Sequence, residues 1–594
     1  MKQIITLALS STLFFTTYAG KNVDGTYVLG TVSQVSNNLK NNPSQLFING
    51  STYNTSIHFT SESDLIGSIQ GYEGSQFIIS NENNQINGFV ILSKENDIAY
   101  KYSTNGNNEV ELNRVSINSI MCVDYINNSI ANIKEVNQKT NSTSTLGGGV
   151  PLFESLPGSA NILFLDFDGY DLPAGSGWNG GVAMAAGASG FNDTEVFQAW
   201  SEIAEDYSPY NVNVTTDSTL YASAPNNKKI RMVFTVTDSW YPNAGGVAYV
   251  GVFTNNNAAY KTGWVFVNQM GGGASKAKNA GEAGAHEAGH TLGLEHHGEL
   301  KTGPADTLDY YSGHGNWGPI MGAAYGKALS QFSIGEYNNA FSYTTDNQGN
   351  KVPFVQDDLD VVSNYVNFLA DEHGDNYANA TAIDFTLSGS DGIVDSAKNR
   401  GIINNRTDLD VFKFFTDGGV TNLKIVPSAA YKTNLDVEVK LYDSNNNQVG
   451  STLSTTHDNT TINGVTINQN LTSGNYYFTI DGVGSGDPTT GWSDYNSMGV
   501  YDISGTIANA DATTGLAIDS KSKSSLNIYP NPLGKNEVLN FSTTVDAVKI
   551  FDASGKLLLT DAKVNFVQMA NFSEGIYFIQ ATTSQETITT KVIK

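Results

Sequence analysis

Cysteine is almost missing. Cys122 is the one cysteine in 594 residues, so no disulfide can close within the chain, and stability must come from packing and bound ions. Basic residues are also scarce, 32 Lys and Arg against 58 Asp and Glu, for a formal net charge of −26. A surface this acidic repels phosphate backbones and anionic membranes, which argues against nucleic acid as a partner. Beyond the first twenty residues no apolar run approaches the roughly 20 residues that span a bilayer, so no transmembrane segment is expected. Histidine is rare as well, eight in all, yet His286, His290, His296 and His297 fall close together. A chain this poor in histidine concentrates half of it in one segment.

Length alone predicts three or four compact units. The start, "MKQIITLALSSTLFFTTYAG", runs from Lys2 through an apolar stretch to small residues, the order of a secretory signal peptide cleaved near Ala19. Short alternating runs such as "QFIIS" and "GFVILS" make 20–137 β-rich. The polar, glycine-rich "NQKTNSTSTLGGGVP" then reads as an exposed linker open to proteolysis, so 20–150 is expected to be a propeptide with its linker. From Asn161 the pattern changes. "NILFLDFDG" predicts a buried strand, and "FNDTEVFQAWSEIAEDY" a helix with Asn192 and Glu195 as its capping box. "IRMVFTVT", "GGVAYVGVF" and "GWVFVNQM" predict three further strands, so 151–370 is an α/β layer.

On a helix, "NAGEAGAHEAGHTLG" would be capped by Asn279 and Glu282 and carry His286 and His290 one turn apart on one face. Two imidazoles so spaced can hold one Zn²⁺, with Glu287 between them placed to activate the attacking water. Gly293 can end the helix in a left-handed conformation and bring in His296 as a third ligand. Three histidines and an open fourth position describe a catalytic zinc site. With this composition the spacing H-E-x-x-H-x-x-G-x-x-H arises by chance with a probability on the order of 10⁻⁵.

"HEAGHTLGLEHH" resembles the zinc-binding sequence of the metzincin metallopeptidases. The resemblance implies a multidomain protein with an α/β metzincin-like catalytic domain, preceded by the β-rich propeptide and followed by C-terminal β-sandwich domains. It also implies a methionine turn beneath the zinc, for which "NWGPIMGAAYG" supplies Met321. Several metzincin families carry a tyrosine two residues after that methionine. The candidate here, Tyr325, lies four residues after it. His297 does not match the subgroup markers that follow the third ligand in the best-known families, and it can either hydrogen-bond the turn or compete with His296. The strand "GWVFVNQM" is the one the resemblance would place at the sheet edge, where an extended substrate could pair with it.

Cys122, in "SINSIMCVDYIN", has two readings. Its thiolate could fill the fourth zinc position and keep a precursor latent, as in propeptides of some metzincins. Its neighbours Ile120, Met121 and Val123 favour the other, a small hydrophobe in a buried strand. Asp124 is a further candidate for inhibition. The acidic clusters "DFDGYD" at 166–171 and "DEHGD" at 371–375 offer oxygen ligands of the kind Ca²⁺ takes, without the spacing of an EF-hand.

Residues 371–507, through "DEHGDNYANATAI", "RTDLDVFKFF" and "GWSDYNSMGVYDISG", resemble the bacterial pre-peptidase C-terminal domain, a β-sandwich often removed during maturation. Its expected role is a folded spacer. After a linker at 508–523, residues 524–594 carry "YPNP", "DASGK", "GIYFI" and a terminal "KVIK" and resemble the sorting domain of the type IX secretion pathway. That implies export of a Gram-negative precursor by the secretion machinery, to the medium or the cell surface. The expected function is a secreted zinc endopeptidase acting on protein or peptide substrates. Two alternatives stay open: an adhesive protein built on a peptidase scaffold, and a zinc hydrolase of a non-protein amide.

Overall fold

The computed structural model describes Gly20, Lys21 and residues 26–594, apart from 94–96, 126–148, 456–463, 511–525 and a few shorter stretches. The expected signal peptide lies outside the described residues, as does most of both linkers. The chain divides into two compact units, one of 1–413, 419–471 and 476–508, the other of 414–418, 472–475 and 509–594.

In the first unit, residues 20–115 form a nine-stranded antiparallel sheet, in which the seven strands from Gln45–Ile48 to Glu109–Val115 follow one another as a meander. Alternation buries Phe77, Ile79, Val90, Tyr102 and Leu112 in one core. Helix α1, Val32–Asn41, packs there through Val32 and Val35. The β-rich reading passed over it, although Thr31 and Gln34 form the capping box that signals its start.

The histidine-bearing region centres on a six-stranded sheet. In order across the sheet the strands are Met121–Tyr125, Ala244–Tyr249, Thr262–Phe266, Lys229–Thr235, Ile162–Asp166 and Asn213–Thr215. The last four run parallel, and Ala244–Tyr249 runs antiparallel to Thr262–Phe266. This corrects the expected edge strand. Thr262–Phe266, from "GWVFVNQM", is interior and fully buried, and Ala244–Tyr249 stands outside it. The outermost strand, Met121–Tyr125, comes from the segment that precedes the linker, and it pairs antiparallel with Ala244–Tyr249.

Helix α2, Asp193–Asp206, starts at the expected capping box, with Asn192 accepting from Glu195 N and Glu195 accepting from Asn192 N. Helix α3, Ser218–Ser223, and helix α5, Asp358–Ser363, are short. Helix α4, Ser275–Thr291, packs against α2 and the sheet. Its small residues permit the close approach: a Cβ on Gly284 would lie 2.7 Å from Ile203 Cδ1 and 2.8 Å from Phe234 Cζ. Residues 381–507 add a nine-stranded sheet with two 18-residue strands, Asp410–Pro427 and Val465–Gly482.

In the second unit, a three-stranded and a four-stranded sheet share a core that includes Leu539, Val567, Val548 and Ile579, the sandwich expected for the final segment. Among the described residues no helix is long and apolar enough to cross a membrane.

Candidate metal centre

Helix α4 begins one turn before the expected cap. Asn279 and Glu282 lie inside it, where Asn279 Nδ2 donates to Met270 O at 3.0 Å, tying the helix to the preceding turn, and Lys278 pairs with Glu282 at 2.7 Å one turn along the helix. Its end follows the expectation. Gly293 has φ +92°, with Gly293 N donating to His290 O at 2.9 Å and Leu294 N to Gly289 O at 3.1 Å, a Schellman closure. The reversal carries the chain to His296.

There the ring nitrogens converge. His286 Nδ1 lies 2.8 Å from Ile320 O and His290 Nδ1 2.6 Å from Leu294 O, so each Nδ1 carries the proton and each Nε2 lone pair faces inward. Those two Nε2 atoms are 2.9 Å apart. Two lone pairs at that separation repel unless a cation lies between them, so the donor set fits a metal ion. Burial pushes His290 and His296 well below the usual histidine pKa, and the neighbouring imidazoles push the same way, so both are neutral at pH 7, the form a metal ion requires.

Cys122 completes the group. Its Sγ lies 2.7 Å from His296 Nε2 and 4.0 Å from His286 Nε2, and the ligand atoms of Cys122, His286, His290 and His296 all fall within 4.8 Å of one another. The sequence favoured a buried hydrophobe. The residue is indeed fully buried, but among histidines, because strand Met121–Tyr125 belongs to the sheet beside α4.

Met321 lies beneath α4, where its Sδ would stand 2.7 Å from a Cβ on Gly289, between the two helical histidines. Its carbonyl accepts from His297 N at 2.8 Å. Glu287 is fully buried, and strand Ala244–Tyr249 passes over it so closely that a Cβ on Gly246 would lie 2.5 Å from Glu287 Oε1. Gly246→Ala is therefore expected to displace the Glu287 carboxylate. We expect kcat/KM to fall about 100-fold, the loss typical of a 1 Å misplacement, with bound metal unchanged. Wild-type kcat/KM in that variant would contradict this placement.

The tyrosine seen against the histidines is Tyr310, which the sequence did not single out. Its ring centroid is 4.2 Å from that of His296, and its hydroxyl is 3.7 Å from Cys122 Sγ. Tyr325 is half-buried in the turn that follows Met321. No fixed spacing from the histidine motif pointed to Tyr310. His297 turns away from the cluster to Asp358 Oδ1 at 2.9 Å and Ser333 O at 3.1 Å, which resolves its competition with His296. Burial lowers its pKa, but the Asp358 carboxylate outweighs that and leaves it raised.

Of the acidic clusters, Asp166 in "DFDGYD" is committed to Arg231 at 3.2 Å. In the other, Asp371 and Asp375, both exposed, come together with buried Asp408. Asp124 pairs through its backbone with Gly246, and its side chain lies outside the described residues.

Residues 198–333, which include α4 and the three histidines, match the profile of metallo-peptidase family M12. The chain is thus similar to M12 metallopeptidases over this stretch. Residues 527–594 match the secretion system C-terminal sorting domain, which marks the chain for export to the cell surface or the extracellular space and implies the secretion machinery as a partner. The match to M12 implies zinc and protein substrates. Residues 371–507 lie outside both matches. No curated relative matches the chain. Among solved structures, the adhesin domain of Epf from Streptococcus pyogenes is similar over 34% of this chain and 79% of its own, at 7% identity and a TM-score of 0.12. A likeness that weak carries no argument.

Proposed function

We propose that the M12 domain is a zinc endopeptidase of metzincin type, exported as a latent precursor. The observation that carries this reading is the convergence of His286, His290 and His296 in one buried cluster with Cys122, with Glu287 adjoining His286 on the same helix. Zinc held there would supply the Lewis acid that polarises a scissile carbonyl and acidifies water.

The remaining chemistry belongs to the chain. Glu287 takes the proton from the attacking water and delivers it to the leaving amine, so peptide hydrolysis needs no covalent intermediate. Met321 supports the floor under the histidines. Strand Ala244–Tyr249 is the edge to which an extended substrate backbone adds, a mode that selects unfolded polypeptide more than any one side chain. In the precursor that edge is taken by Met121–Tyr125, with Cys122 opposite Ala248, and the Cys122 sulfur, close to the histidine nitrogens, would hold the zinc at its fourth position. Latency thus blocks the metal and the substrate edge together.

The test is casein cleavage by the enzyme processed after residue 150. Cleavage is expected to vanish on treatment with a zinc chelator and to return when zinc is restored. Undiminished cleavage by protein shown to be zinc-free would end this reading, as would failure to cut any polypeptide at full zinc occupancy.

A further inference from the structure

Helices α2 and α4 meet through acidic residues. A Cβ on Gly281 of α4 would lie 2.9 Å from Glu202 Cβ of α2, and around this contact Glu202, Asp206 and Glu282 are each at most 4% exposed. Three carboxylates buried so near one another push the helices apart unless cations separate them. Lys278 reaches Glu282 from the partly exposed side. The other cation comes from far along the chain. Lys432 Nζ lies 2.9 Å from Asp206, 3.7 Å from Glu202 and 3.7 Å from Glu282, and it is itself buried. Its neighbour Asn434 donates through N to Glu205 at 2.9 Å and through Nδ2 to Asp206 at 3.0 Å.

The same segment reaches the metal centre by a second route. Lys432 Nζ also donates to Ser330, and Gln331 Nε2 donates to Asn434 O at 2.9 Å and Asn496 O at 3.0 Å. Gln331 O accepts from Ile320 N at 2.8 Å, and Ile320 O is the acceptor that orients His286. Phe332 N donates to Asn496 Oδ1, and Trp492 joins Trp317, Leu329 and Tyr337 in one apolar cluster. Segments 428–436 and 491–497 therefore brace both the helix that carries the histidines and the parallel strand pair beside Met321, Trp317–Pro319 with Leu329–Gln331.

We infer that Lys432 is a positioning residue for the metal-binding helix, and that these two segments are part of the working peptidase, not of a detachable spacer. The inference rests on the metal reading of the histidine cluster, and on the peptidase reading for its activity arm only. The contacts extend the functional unit well past residue 333, where the family match ends.

The test compares Lys432→Met with Lys432→Met combined with Asp206→Asn, by zinc competition titration and by kcat and KM on casein. Removal of support behind a metal ligand typically costs about 10–100-fold in metal affinity or activity. We expect a loss of that size in zinc affinity and kcat for the single variant, with KM little changed and partial recovery in the double. Wild-type zinc affinity and kcat in Lys432→Met would overturn the inference. The zinc titration decides the matter even if the wild type cuts no casein, so failure of the peptidase reading stays distinguishable. Should Lys432→Met fail to fold, the mass of the naturally processed enzyme decides: it is expected to retain Lys432 and Asn496, and an active enzyme ending near residue 370 refutes the inference.

Discussion

Glu287→Gln is expected to bind a full equivalent of zinc and to lose casein cleavage by about 10²–10⁴-fold, the usual contribution of a positioned general base. Glu287 is outside the ligand cluster, so metal content should not change. Glutamine keeps the shape of the side chain under the Gly246 backbone, which avoids the cavity that alanine would leave. It cannot take the proton. Zinc analysis and initial rates on the same preparation check both halves, and a variant retaining a tenth of wild-type kcat would remove Glu287 from the role of base.

Cys122→Ala is expected to open the precursor. With the sulfur gone, the fourth position proposed for Cys122 would be left open, although strand Met121–Tyr125 can still pair with Ala244–Tyr249. If the thiolate contributes about 1.4–2.8 kcal/mol to closure, its loss raises the open fraction about 10–100-fold. Cleavage of a short fluorogenic peptide by unprocessed precursor should rise accordingly, and more than cleavage of a long polypeptide, which still needs the edge. A precursor equally silent with alanine at 122 would assign latency to the strand alone.

What the sequence revealed is what lies close together in it. The zinc motif occupies one helix and the turn after it, so helical periodicity and the freedom of Gly293 sufficed to bring His286, His290 and His296 to one point. The start of α2 was legible from its capping box for the same reason. Sheet order was not. Nothing local tells "GWVFVNQM" that "GGVAYVGVF" will lie outside it, because lateral order is set by long-range pairing. Cys122 fell to the same limit: its apolar neighbours pointed to a buried strand, and only its pairing with Ala248 shows among which residues it is buried. Tyr310 and Gly246 are defined by contacts across the fold. Lys432 reaches its carboxylates from more than a hundred positions away, and a lone lysine in the loop "SAAYKTN" carries no signal of which groups it will meet.

The most direct test of the metal centre is zinc-edge X-ray absorption on the intact precursor. A zinc ion held by three histidines and Cys122 predicts three nitrogen scatterers at about 2.0 Å and one sulfur at about 2.3 Å, with the sulfur lost once the chain before residue 150 is removed. A first shell of nitrogen and oxygen alone in the precursor, or no bound zinc, would contradict the arrangement described here.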